Sequence, residues 1–157
     1  MNQIRIASLP ERFLDSVRTS SIDDLGQPVK RVIAQGGEPC RDVLRRAHVG
    51  EELILASFSP FARVGPYKEY GPVFVLANPS DEPVERDVLP IEGVPPYLRE
   101  QFVIRAYSDA EEIRDAVLTS PRDSTKAITR FLDDDATSFL HVRFPTYGCF
   151  ALRIDRA

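Results

Sequence analysis

Cysteine is scarce in this chain. Cys40 and Cys149 are the only two in 157 residues, which makes neither a disulfide framework nor, by themselves, a zinc site. No apolar run approaches the roughly 20 residues that span a bilayer. The opening MNQIRIASLPERFL lacks the long apolar core behind a basic flank of a secretory signal. The expectation is a cytoplasmic protein with free thiols and no membrane partner. A basic excess is missing too. Twenty Lys and Arg face 24 Asp and Glu, for a net charge of -4 and a pI near 5.2, which argues against a nucleic-acid binder. Lysine itself is rare: Lys30, Lys68 and Lys126 are the only ones. Genomic codon bias accounts for that, as does a use of arginine for bidentate anion contacts, and the sequence leaves both open. There is no nucleophile elbow, no HExxH and no phosphate-binding glycine loop. No cofactor and no metal is implied.

What is present reads as one domain over 1–157, of ordinary globular composition with 43% hydrophobic and 28% charged residues. Ile4 and Ile6 share a face and predict a first strand over 3–8. Pro10 suits the first position of a short helix carrying Phe13, Leu14 and Val17, and Ser21 opens a second helical turn. Strands follow over 29–34 and 52–58, the latter apolar on both faces. Between them, 39–47 is spaced for either helix or strand. After the loop 59–71 comes a strand over 72–77. The five prolines of 78–98 make that stretch either a lid or partly disordered. Strands over 101–107 and 112–119 precede a helix in which Ser120 caps, Pro121 takes the first position and Asp123 completes a capping-box-like pattern. That helix ends near Leu132, ahead of the acidic run Asp133-Asp134-Asp135, which reads as a solvated loop. The fold class is α+β: a mainly antiparallel, strongly curved sheet of about eight strands, with the longer C-terminal-half helix packed on it and short N-terminal helices.

The final stretch, 138–156, reads as a β-hairpin and holds His141, Cys149, Tyr147 and three arginines. Its apolar sets, Leu140, Val142, Phe144 and Phe150, Leu152, Ile154, share a face only if 144 pairs with 150, 142 with 152 and 140 with 154. That leaves the three-residue loop Thr146-Tyr147-Gly148. The other face then carries His141 opposite Arg153 and Arg143 opposite Ala151. So much polarity is expected at solvent, at acidic partners or in a pocket.

Three stretches together are similar to a known family: Pro39-Cys40-Arg41 with Leu44 and Gly50-Glu51; Pro66-Tyr67 with Gly71-Pro72-Val73-Phe74-Val75; and His141-Val142-Arg143 with Tyr147-Gly148-Cys149-Phe150 and Arg153-Ile154-Asp155-Arg156. The combination resembles the bacterial domain of unknown function 1203 family over nearly the whole chain. The resemblance implies boundaries and class, and no activity. It also implies a cysteine in relatives where this chain has Val43 and a histidine where it has Leu76. Any metal site relatives build from those residues would lack two ligands here, and Cys40 alone cannot hold zinc.

Three functions follow as expectations. The first is a domain that binds a small anionic ligand, with Arg41, Arg143 and Arg153 supplying charge, His141 beside them, and Tyr67, Tyr70 and Tyr147 supplying walls. The second is an enzyme with His141 as general base and Cys40 or Cys149 as nucleophile. Within it, Cys149 is better suited to packing, since an aromatic follows it inside a strand. The third is a protein–protein interaction module, such as a homodimer.

Overall fold

Apolar alternation makes the strands of this chain, and the stretches between them decide which strands meet. The computed structural model describes residues 3–157. In chain order it contains β1 (Ile4–Ile6), α1 (Glu11–Asp15) running into a single π-type turn (Ser16–Ser20), β2 (Lys30–Ile33), β3 (Pro39–Cys40), β4 (Arg45–Arg46), β5 (Glu52–Phe58), β6 (Gly71–Leu76), β7 (Phe102–Tyr107), β8 (Ile113–Thr119), α2 (Pro121–Leu132), β9 (Phe139–Arg143) and β10 (Phe150–Arg156). The strands form two five-stranded sheets. One has the order β1-β10-β9-β7-β8 and is antiparallel; the other has the order β2-β5-β6-β3-β4, with β3 and β6 parallel.

The α+β class and the mostly antiparallel pairing stand; the single curved sheet of about eight strands does not. β5 needs cover on both faces, and no one sheet supplies it. Ile54, Ala56 and Phe58 pack with Phe13 and Val17 of the N-terminal helix and with Phe150 of the other sheet. Leu53 packs on the opposite side with Ala34, Cys40, Val43 and Leu76. The larger core lies between the first sheet and α2. There Ile104, Leu140, Val142, Leu152 and Ile154 meet Ile128, Phe131 and Leu132, each such side chain contributing about 1.5–3 kcal/mol when fully buried. The polar faces of α2 stay outside, as its spacing requires. Ser120 has the extended backbone of an N-cap, but its hydroxyl donates to the Asp123 carboxylate at 3.2 Å instead of accepting from the helix backbone.

Local expectations change in three places. Ser21 ends a helix instead of opening one: it adopts a left-handed conformation, φ 56°, and Asp23 then accepts from the Leu25 and Gln27 N–H groups to close the loop. The ambiguous 39–47 is neither a helix nor one strand, but β3 and β4 joined by a turn with Leu44 at φ 52°. The proline-rich 78–98 is tied down at its end. Tyr97 and Leu98 are buried, and the Tyr97 hydroxyl donates to the Ala151 carbonyl at 2.7 Å.

The hairpin pairs 142 with 152, 141 with 153 and 140 with 154, but Phe150 pairs with Arg143 and not with Phe144. Ala151 is an extra residue in β10, a bulge. It turns Phe150 to the side of His141 while Leu152 stays on the side of α2. The face expected to meet solvent, acidic partners or a pocket is closed over by another segment of the chain, whose Glu69 pairs with Arg143. His141 is fully buried and Arg143 is 5% exposed. Residues 59–70 cross over that face, Phe61 setting its ring 5.1 Å from the imidazole. Among the described residues no helix is long and apolar enough to cross a membrane.

Candidate functional site

The two sheets meet along a cleft of about 820 Å³. Its walls come from Gln35–Pro39 with Arg41, Arg46 of β4, Leu55 of β5 with Pro72 and Phe74 of β6, Arg99–Gln101, and the turn of the last hairpin from Phe144 to Cys149. Gly36 and Gly37 are both left-handed, at φ 104° and 93°. That conformation strains any residue with a side chain, so glycine suits both positions.

Arg41 is held from both sheets. Its N–H donates to the Phe74 carbonyl at 3.0 Å, extending the parallel β3–β6 pair. Its guanidinium donates through Nε to Phe150 O at 2.8 Å, through Nη1 to Pro39 O at 2.8 Å and through Nη2 to the Cys149 sulfur at 3.3 Å. Arg46 donates to the carbonyls of Gly37, at 3.0 Å, and Tyr97, at 2.8 Å. The Phe144 ring lies between the two, with guanidinium carbons 5.2 Å and 5.0 Å from its centroid. Arg99 is exposed on the same cleft. Burial, and then repulsion from Arg99 and Arg41, pushes the Arg46 guanidinium below the ordinary arginine range. Among the described residues none of the three makes an ion pair. Glu38, also on the wall, is engaged by the N–H groups of Gln35 and Gly36 at 2.8 and 2.9 Å.

The structure gathers only part of the expected site. Arg41 lines the cleft, with Tyr147 on its rim and Cys149 on its wall. His141 does not reach it: the imidazole is enclosed by Phe61, Tyr107, Phe139 and Phe150 at centroid distances of 4.8–5.1 Å. Burial, reinforced by Arg143, Arg153 and Arg105, holds its pKa well below the ordinary histidine value. The imidazole is fully buried and does not line the cleft. Arg143 pairs with Glu69 and Arg153 with Asp155 at 2.8 Å. Tyr67 and Tyr70 are exposed on residues 59–70, away from the cleft. Cys40 faces the small core behind β3, its thiol pushed up to about 12 by burial and by the nearby Asp42, which favours the protonated thiol over the nucleophilic thiolate. Val43 and Leu76 pack in that same cluster. The positions where the resemblance implies cysteine and histidine thus adjoin Cys40, and here they are apolar. Among the described residues no group of three metal-ligating side chains converges.

Arg46, Arg99 and Phe144 were not in the expected site. Arg46 sits in a segment whose periodicity is ambiguous, Arg99 follows the proline-rich stretch, and Phe144 reads as core. Only the excess of arginine over lysine hinted at the two arginines, and nothing hinted at Phe144. No curated protein and no solved structure matches the chain significantly. A family model does match, over residues 37–156, which takes in every wall of the cleft from Gly37 to Cys149: the chain belongs to the family described as protein of unknown function, DUF1203.

Proposed function

We propose that this protein is a cytoplasmic domain that binds a small carboxylate or phosphate in the cleft between its sheets, with Arg41, Arg46 and Arg99 as the ligand-holding residues. One observation carries this reading: three guanidiniums share one concave surface with no carboxylate paired to any of them. Several other buried or half-buried arginines have carboxylate partners, while among the described residues Arg86 meets only carbonyls. Arg18 pairs with Asp42, Arg45 with Glu51 and Arg143 with Glu69. A buried charge without a counter-charge costs several kcal/mol, and carbonyl contacts offset only part of that. An incoming oxyanion would supply the missing charge, and guanidinium geometry favours gripping it by two oxygens at once. Tyr147, 90% exposed at the rim, is placed to contact a ligand that protrudes. Of the residues expected from the sequence, this reading retains Arg41 and Tyr147. It releases Tyr67, Tyr70, His141, Arg143 and Arg153.

Titration calorimetry with inorganic phosphate and with citrate at low ionic strength tests the proposal. Saturable binding is expected, weakening about tenfold in Arg99→Met and at least as much in Arg46→Met. No heat with either anion, or unchanged affinity in both variants, overturns it.

One contact favours a second reading, an enzyme. Arg41 Nη2 stands 3.3 Å from the Cys149 sulfur, a cation beside a nucleophilic atom on a cleft wall. Native-state labelling with iodoacetamide separates the readings. Labelling of Cys149 that phosphate slows supports a thiol working within the anion site, and an inert Cys149 removes the enzyme reading.

A further inference from the structure

A second group of cations lies outside the cleft, on the face of the first sheet that residues 59–70 cover. Arg105, His141 and Arg153 stand side by side across β7, β9 and β10. Arg143 follows two residues along β9, and the Tyr107 hydroxyl faces it. Against these three guanidiniums and one imidazole the covering segment supplies a single carboxylate. Glu69 pairs with Arg143 and lies 3.6 Å from Arg105. Arg153 is served from its own strand, by Asp155.

Unmet hydrogen-bonding capacity is concentrated in the same place. Among the described residues four buried side-chain polar atoms have no partner: both imidazole nitrogens of His141, Nε of Arg143 and the hydroxyl of Ser59. Three belong to this face, and the fourth stands where the covering segment leaves β5. Buried polar atoms without partners are uncommon and cost about 1–3 kcal/mol each, so three on adjacent outward positions of one strand call for an explanation.

The segment above them is lightly held. Residues 62–67 are exposed. One aromatic anchor, Phe61, packs on Tyr107 and His141. Glu111 accepts from the Ala62 and Arg63 N–H groups at 3.0 and 2.6 Å, and the Lys68 ammonium donates to the Phe61 carbonyl at 3.0 Å. Segments with few apolar contacts open at a fraction of the cost of global unfolding.

We infer that residues 59–70 are a lid over a second anion site, in which the Glu69 carboxylate occupies the place of a small carboxylate or phosphate on Arg143 and Arg105. His141 and Ser59 are the polar groups such a ligand would reach once the lid lifts. This site is separate from the cleft between the sheets and does not depend on that cleft binding anything. A doubly charged oxyanion competes best, because it can meet both guanidiniums where Glu69 brings one charge.

Hydrogen exchange of the full chain, followed by mass spectrometry, tests the inference. Glu69→Gln is expected to speed exchange across 59–70 about tenfold, which corresponds to about 1.4 kcal/mol in opening free energy, while the ladder-bonded amides of 139–143 stay protected. Adding about 10 mM inorganic phosphate or succinate should slow it again about tenfold for a millimolar site. The anion that protects identifies the oxyanion class. Adding Arg105→Met to Glu69→Gln should abolish the protection, whereas adding Arg46→Met should leave it, which separates this site from the cleft. Should Glu69→Gln fail to fold, Glu69→Ala, which also removes the carboxylate, carries the same comparison. Exchange unchanged by loss of the carboxylate, protection by neither anion, or protection that survives Arg105→Met overturns the inference.

Discussion

Replacing His141 by leucine should change how stability depends on pH, by an amount that can be worked out in advance. The imidazole is fully buried among four aromatic rings, and neither nitrogen has a hydrogen-bond partner. Burial, with Arg143, Arg153 and Arg105 nearby, keeps its folded-state pKa well below the ordinary value. In the unfolded chain the same group titrates near 6.5. The sign follows directly: below about pH 6.5 the unfolded state takes up a proton that the folded state refuses, so stability is full above that pH and falls beneath it. At pH 5.5, one unit below, the loss is about 1.4 kcal/mol, and it is close to zero at pH 7.5. For a chain of this size that is about 3–6 °C in Tm. Leucine cannot take up the proton. The stability difference between His141→Leu and the parent should therefore shift in favour of the variant by about 1.4 kcal/mol between pH 7.5 and 5.5. Packing changes alter both ends equally and cancel from that difference. Urea denaturation at the two pH values measures it. Parallel pH curves for parent and variant would refute the enclosed, neutral imidazole.

Two further perturbations probe the rest of the frame. Arg18→Met leaves Asp42 buried without its partner, the two side chains being 14% and 7% exposed and 2.8 Å apart; a loss of about 3–5 kcal/mol is expected in chemical denaturation, and a loss under about 1 kcal/mol would place that pair among exposed ones. Tyr97→Phe removes the hydroxyl that donates to Ala151 O, and should cost about 1–3 kcal/mol while raising proteolysis within 78–98; an unaffected cleavage pattern would mean that this bond does not anchor the stretch.

Much of the strand content was legible because it rests on local alternation. Glu52–Phe58 is apolar on both faces, and it is a strand covered on both. Which strands meet was not legible, because β1 finds its partner in β10 at the other end of the chain, and no local pattern encodes that choice. In the hairpin, matching the apolar sets located the pairs 142–152 and 140–154. It failed at Phe150, because the bulge at Ala151 is a single small residue with nothing in sequence to mark it. His141 and Arg143 were read as facing solvent, acidic partners or a pocket; Arg143 does meet an acidic partner, Glu69, but the covering segment was not foreseen, since alternation records which side of a strand a residue takes and not whether a loop closes over it. Of the cleft, Arg41 and Tyr147 were legible from their neighbours. Arg46 and Arg99 were not, because the cleft is assembled from segments that come together only when the two sheets do.

The pairing of β1 with β10 also has a kinetic meaning. Ile4 lies opposite Arg156, so this contact closes a loop of nearly the whole described chain. Loop-closure entropy grows only with the logarithm of length, about 0.6 kcal/mol per doubling, so the long span costs the native state little. Its effect falls on rate, since distant contacts must wait for the chain between them. The β5–β6 pair forms from neighbouring segments, whereas β1 stays without its ladder until β10 exists and has docked on β9. During synthesis on a ribosome the second sheet can therefore assemble while the first still has an open edge, and that edge is where a nascent chain would be most exposed to wrong partners.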